Sequence, residues 1–158
     1  MKGKEDDFMA LHFGFEALRG MEIPIPNDEQ VLLVPRAQFC TTNGFEDIRL
    51  VFTDKGIHFR VKRSHLITFS SGSHSFCDNT FLAYNRIAEY KKGSALWAKT
   101  YRITMVDGFS PRFYFKEMSE VAEILNNYVR LDTPRDFSPY SYASHDPESV
   151  PHRNVGSK

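Results

Sequence analysis

The clearest local signal in the chain is the stretch Asp47–Lys62, with the sequence DIRLVFTDKGIHFRVK. Alternate positions on either side of a central Thr53–Gly56 segment are aliphatic or aromatic: Ile48, Leu50 and Phe52 before it, and Ile57, Phe59 and Val61 after it. Aspartate favours the start of a tight turn, and glycine accepts the positive φ that closes one. The stretch therefore predicts a β-hairpin with one apolar face and one polar face.

The polar face of this hairpin is basic. Residues 49–63 hold five basic residues against one acidic residue, a net charge of +4, and residues 86–102 have the same balance. If both segments share a sheet face, they form one basic surface able to hold phosphate or carboxylate groups. The candidate ligand-binding residues are Arg49, His58, Arg60, Lys62 and Arg102. Two alternatives stay open: these residues are the solvated side of a sheet, or the acidic N-terminal arm covers them.

Further strands are predicted around the hairpin, at Gln30–Pro35, His65–Phe69, Thr80–Tyr90, Trp97–Val106 and Arg112–Lys116, with a loop at Ser70–Ser75. A helical stripe follows, formed by Met118, Val121, Ala122, Leu125, Tyr128 and Val129. Acidic residues early in this segment and Arg130 at its end suit the helix dipole. The predicted fold class is α+β and mainly β: a curled antiparallel sheet or barrel of six to seven strands, closed by one C-terminal amphipathic helix.

The 158 residues are enough for one domain with short appendages. Residues 1–28 are predicted to be an acidic N-terminal arm, in which Phe8, Leu11, Phe15 and Leu18 share one face of a short amphipathic helix. Residues 29–131 form the domain. Residues 132–158 contain half of the eight prolines and no apolar periodicity, which indicates a flexible tail rich in proline and serine.

Composition excludes several classes of protein. The 20 basic and 20 acidic residues give a formal net charge of zero, which disfavours binding of nucleic acid or membrane by the whole chain. The beginning of the chain has no apolar secretory segment, and no apolar run approaches the roughly 18 residues of a membrane-spanning helix. Cys40 and Cys77 are too few for a disulfide scaffold. We therefore expect a cytoplasmic protein.

The sequence offers little catalytic or metal-binding chemistry. His65, His74 and Cys77 are of metal-ligand type, but a closed zinc site needs four ligands. No Gly-x-Ser-x-Gly nucleophile elbow is present. We expect no catalytic residue, no metal site and no cofactor, and hence a protein that is not an enzyme.

The segment Asp47–Val61 resembles a hairpin of the pleckstrin-homology-like superfold, in particular its bacterial GRAM-like members. Tyr84–Ile87, Tyr101–Val106, Phe113–Phe115 and the predicted helix Glu117–Arg130 are similar to the end of that fold. The resemblance implies a non-catalytic module that recognises a protein segment or partner domain through its sheet face or barrel edge, with anionic lipid as a second ligand. The chain lacks the basic triplet of the lipid-binding members, so no lipid site is transferred.

A competing interpretation is a small β-barrel that binds nucleic acid or a small ligand. Trp97, Tyr101 and Tyr114 would then be the surface on which bases stack, with basic residues beside them. An enzyme of unrecognised type is a third interpretation.

Overall fold

The structure, a computed structural model, describes residues 22–41, 44–61, 67–69, 72–74, 79–95, 98–139, 142 and 150–156. Their β-strands are β1 Ile23–Pro26, β2 Val31–Leu33, β3 Ala37–Thr41, β4 Gly44–Thr53, β5 Gly56–Val61, β6 Ile67–Phe69, β7 Gly72–His74, β8 Thr80–Ala83, β9 Ile87–Ala95, β10 Ala98–Met105, β11 Arg112–Phe115 and β12 His152–Val155. A 3-10 turn spans Tyr84–Arg86, and one helix among these residues, α1, spans Met118–Tyr128.

The largest sheet is antiparallel and curled, with the strand order β8-β5-β4-β3-β11-β10-β9 and with β2 paired to β4 beside this path. The predicted hairpin is confirmed as β4 and β5, in which Leu50 lies opposite Phe59. The Thr53 hydroxyl closes its turn by accepting hydrogen bonds from the amides of Lys55 and Gly56. The mainly β, curled-sheet architecture is therefore as predicted.

The core fills the concave side of this sheet. Phe113 packs edge-on against two other phenylalanines, with ring centroids 5.5 Å from Phe39 and 5.3 Å from Phe59. The helix contributes Val121 and Leu125 to the same cluster, so the predicted apolar stripe does face the sheet. The helix is shorter than the Glu117–Arg130 span, because Glu117 accepts a hydrogen bond from the Arg36 amide instead of capping, and Val129 is extended.

A second, two-stranded sheet formed by β1 and β12 lies against the convex side of β4 and β5. Ile23 and Ile25 of β1 pack with Val51 of β4, and all three are fully buried. The tail was predicted to be flexible from residue 132 onwards, but Val155 pairs with Ile23 across this small sheet. The expectation is corrected for β12, because the backbone of β1 supplies a pairing partner that the tail sequence does not reveal.

Two other segments differ from the prediction. Ser70–Ser75 was expected to be a loop, yet β7 lies within it and pairs with β6. Thr80–Tyr90 was expected to be one strand, but the Tyr84–Arg86 turn divides it into β8 and the start of β9. The hydroxyl of Tyr84 donates to the Thr53 carbonyl at 2.7 Å, which holds that turn against the hairpin. The predicted N-terminal helix around Phe8–Leu18 lies outside the described residues.

Candidate functional site

Three of the predicted ligand-binding residues, Arg49, His58 and Arg60, lie together under the small β1–β12 sheet. Arg49 and Arg60 are cross-strand neighbours, and the Arg60 guanidinium donates to the Glu22 carbonyl at 3.2 Å. A Cβ on Gly156 would lie only 2.6 Å from Cδ of Arg49, so the end of β12 rests directly on that side chain. Of the alternatives that the sequence left open, the structure favours a covered face here, since β1 of the N-terminal arm and β12 lie over Arg49 and Arg60, which are half-buried.

His58 is fully buried and cannot bind a surface ligand. Its Nε2 donates to Glu29 Oε2 at 2.7 Å, and the Thr53 hydroxyl donates to the same oxygen at 2.9 Å. The ring of Phe81 stacks on the imidazole, with centroids 4.4 Å apart. Burial alone would raise the pKa of Glu29, but the bonds from His58 and Thr53 and the nearby positive charge hold it below its usual value.

Arg102 lies on a separate part of the sheet. The order β4-β3-β11-β10 places three strand spacings between Arg49 and Arg102, or about 14 Å. Arg102 is directly opposite Lys91 on β9 and Arg112 on β11, so three cations form a line across neighbouring strands. We call these three residues the basic row. Lys62, the remaining predicted residue, lies outside the described residues.

The basic row has no neutralising partner among the described residues, where every ion pair involves other side chains. Lys91 and Arg102 are exposed, and Arg112 is half-buried. Like charges directly opposite each other weaken a strand pair, so this arrangement costs stability unless an anion lies over it. The prediction included Arg102 but missed Lys91 and Arg112; the charge of residues 86–102 was the signal for Lys91.

The strand β9 carries a second set of cations on its other face. It is the last strand of the sheet path, and its residues from Lys91 to Ser94 are exposed. Because side chains alternate along a strand, Lys92 and Ser94 point toward the helix side while Lys91 points away. A cleft of about 530 Å³ lies there, which we call the edge cleft; its lining residues are Lys92, Gly93, Ser94, Lys99, Met118 and Ser119.

Two contacts define the geometry of the edge cleft. The Tyr90 hydroxyl donates to Asn126 Oδ1 at 2.6 Å, which fixes α1 relative to β9. The Lys92 ammonium lies 5.8 Å from the centroid of the Tyr101 ring, within reach of a cation–π interaction. The cleft therefore combines two lysines, two hydroxyl side chains and one methionine beside β9, which pairs only with β10 among the described strands.

A larger cavity of about 630 Å³ lies at the other end of the helix. Tyr84 and Tyr128 form one wall, with ring centroids 5.7 Å apart. Much of its charge is already used within the protein: the Lys55 ammonium is 2.6 Å from Asp28, and the Arg135 guanidinium donates to the carbonyls of Tyr84 and Ile87. Part of the charge in this cavity is therefore already engaged within the protein.

The aromatic surface of the competing interpretation is not assembled. Tyr101 faces the core and Tyr114 faces the opposite side of the sheet, and they are only 2% and 7% exposed. Trp97 lies outside the described residues. Two tyrosines on opposite faces cannot stack neighbouring bases together, so Tyr101 and Tyr114 do not form one stacking surface.

In the described part of the chain, no cluster of three or more His, Cys, Asp or Glu residues could hold a metal ion. Burial raises the pKa of Cys40 to about 11, although the Arg112 charge opposes the shift. Cys40 is therefore a protonated thiol at neutral pH and a poor nucleophile. His65 and Cys77 lie outside the described residues.

Comparison with solved structures gives a weak similarity. No family model matches the chain, and no curated protein matches it. A solved structure described as the C-terminal domain of an unknown protein from Leishmania infantum aligns with a TM-score of 0.46 and 10% sequence identity, over 64% of this chain and 84% of that chain. Among the described residues, no helix has both the length and the apolar character required to cross a bilayer.

Proposed function

We propose that this protein is a non-catalytic, PH/GRAM-like binding module that recognises an extended protein segment along the outer edge of β9. The observation that carries the proposal is β9, the last strand of the sheet path, whose residues from Lys91 to Ser94 are exposed beside the edge cleft. An edge strand presents unpaired backbone amides and carbonyls, and an added strand satisfies them. The neighbouring cleft supplies pockets for alternate side chains of that added strand.

The helix makes this edge more selective than an isolated strand. The bond from Tyr90 to Asn126 keeps α1 at a set distance from β9, so the cleft exists before a ligand arrives. A preformed site reduces the ordering cost of binding. The seven-strand curl followed by one helix supports the PH/GRAM-like part of the proposal. The same proposal includes an adaptor role and a cytoplasmic location. The low cysteine content supports the cytoplasmic location.

The proposal is tested by selecting binders from a random peptide library and mapping them on the protein by amide chemical-shift perturbation. Perturbations are expected along β9 and the start of α1. The variant Ser119→Trp should fill the cleft and weaken binding by about tenfold, since a bulky ring displaces the ligand side chain. The matched control is Glu120→Trp, at the next exposed helix position, which does not line the cleft.

The proposal fails if the perturbed amides avoid β9, or if both tryptophan variants weaken binding equally. Thermal unfolding of each variant shows that the fold is retained. Together, these measurements distinguish peptide binding along β9 from peptide binding elsewhere on the protein surface.

A second candidate function is binding of a polyanion, such as a nucleic acid or an anionic membrane, to the basic row. The line of three cations is the observation that favours it. Under this alternative, binding of oligothymidylate or of phosphatidylserine vesicles weakens with salt and is lost in Lys91→Glu, whereas Lys92→Glu retains it. Equal loss in both variants, or no binding at low salt, excludes this candidate.

A further inference from the structure

We infer that the segment recognised by β9 carries acidic residues at consecutive positions, so that its carboxylates meet cations on both faces of the sheet edge. This inference rests on the proposed function, because it describes the ligand of the same strand edge. The partner is a peptide segment in extended conformation with a run of aspartate or glutamate.

The argument begins with the alternation of lysines along β9. Lys91 lies on the convex face, opposite Arg102, while Lys92 lies on the helix side, opposite Tyr101. Lys99 joins Lys92 in the edge cleft, and Arg112 extends the row on the convex face. The open edge is thus bordered by at least two cations on each side.

A strand added to this edge continues the alternation of side chains. Residue i of the ligand would point to the convex face and residue i+1 to the helix side. A segment with acidic residues at every second position places its carboxylates beside the cations of one face only. A segment with adjacent acidic residues places carboxylates beside the cations of both faces. Consecutive carboxylates are therefore the better complement to the pattern on β9.

Among the described residues, no ion pair joins an acidic side chain to Lys91, Lys92 or Arg102. Glu89 lies opposite Thr104, one row away from Lys91 and Arg102 on the convex face. Glu117, just before the helix, accepts a hydrogen bond from the Arg36 amide and forms an ion pair with the Arg36 guanidinium at 3.8 Å. The cations along β9 can therefore pair with the carboxylates of a bound segment.

The test uses fluorescent peptides on a common threonine–valine background. One carries four consecutive aspartates, a second carries four aspartates at alternate positions, and a third carries four lysines. The first is expected to bind about fivefold more tightly than the second, because exposed ion pairs on both faces contribute. The third should bind most weakly, and added salt should reduce the differences.

Charge-reversal variants identify the faces. Lys91→Glu and Lys92→Glu should each weaken binding of the consecutive peptide by about fivefold, since each removes attraction on one face. The control Arg130→Glu makes the same charge change at an exposed position beyond the other end of α1 and should leave the affinity within about twofold.

Equal affinity for the consecutive and alternate peptides overturns the inference, and so does a charge reversal at Lys91 or Lys92 that has no effect. Selected library peptides that perturb β9 but show no acidic preference overturn the inference and leave the proposed function standing. If no extended peptide of any composition binds, both fail. The variants are checked by thermal unfolding, and because both lysines are exposed, the folded state should be retained.

Discussion

Glu29 and His58 meet beneath the surface, with Oε2 of the carboxylate 2.7 Å from Nε2 of the imidazole and both residues buried. Glu29 follows β1, and His58 lies in the middle of β5, so this contact joins the loop after the small sheet to the large one. The Arg153 guanidinium of β12 also donates to the Glu29 backbone carbonyl. Both strands of the small sheet are thereby connected to the hairpin through one residue.

The variant Glu29→Gln tests this contact. It should lower the free energy of unfolding by about 2 kcal/mol at pH 7, because the hydrogen bonds from His58 and Thr53 then reach a neutral amide instead of a charged carboxylate. The measurement is urea unfolding, and the control is Asp28→Asn, the exposed neighbour, which should change stability little.

The same contact predicts a pH dependence. The pKa of Glu29 is lower in the folded protein than its ordinary value of 4.5, so the unfolded chain binds the proton more readily. The stabilisation is present above pH 4.5 and is lost as the pH falls through the folded-state pKa. The stability difference between the native protein and Glu29→Gln should therefore shrink in acid; a constant difference would contradict this assignment.

Gly56 is predicted to be intolerant of any side chain. A Cβ there would lie 2.4 Å from the Leu82 carbonyl oxygen and 2.5 Å from the Phe81 ring. Because a backbone atom of the paired strand cannot easily move, Gly56→Ala should destabilise the protein by about 2 kcal/mol or more. Gly93→Ala is the matched control: its Cβ would meet only the Thr100 hydroxyl at 3.7 Å, and its melting temperature should be nearly unchanged.

Removal of residues 150–158 should destabilise the domain. The truncation takes away β12 and uncovers Ile23 and Ile25, which are fully buried. Exposure of part of these side chains is expected to cost about 2 kcal/mol, measured by chemical denaturation. The double substitution His152→Ser and Asn154→Ser keeps the backbone pairing and should have little effect. A truncated protein as stable as the intact one would show that β12 contributes nothing.

Cys40 is expected to react slowly with thiol reagents. Its pKa of about 11 makes the thiolate scarce at pH 8, since only the thiolate is nucleophilic. In a Cys77→Ser background, the reaction of Cys40 with a chromogenic disulfide should be about a hundredfold slower in the folded protein than in urea. A rapid reaction in the folded protein would mean that the thiol is not shielded.

Local periodicity explains which predictions succeeded. The hairpin β4–β5, the strands β10 and β11 and the helix α1 were all predicted, because alternation at every second residue and recurrence at every third or fourth depend only on neighbouring positions. The place of the turn was predicted too, but not its chemistry: the Thr53 hydroxyl accepts hydrogen bonds from the amides of Lys55 and Gly56, and Gly56 does not adopt the expected positive φ. Of the candidate ligand-binding residues, Arg102 is exposed on the surface, as expected.

The tertiary structure alone decided which faces are covered. Arg49 and Arg102 look alike in sequence, but one lies under β12 and the other lies on an open face. The pairing of Ile23 with Val155 joins residues at opposite ends of the described chain, and no local pattern encodes that contact. The sequence by itself determined the strands β4, β5, β10 and β11, the helix and their apolar sides. The strand β12, the burial of His58 and the place of β9 at the end of the sheet path depend on long-range packing, because the second layer over a sheet can come from a segment distant in sequence.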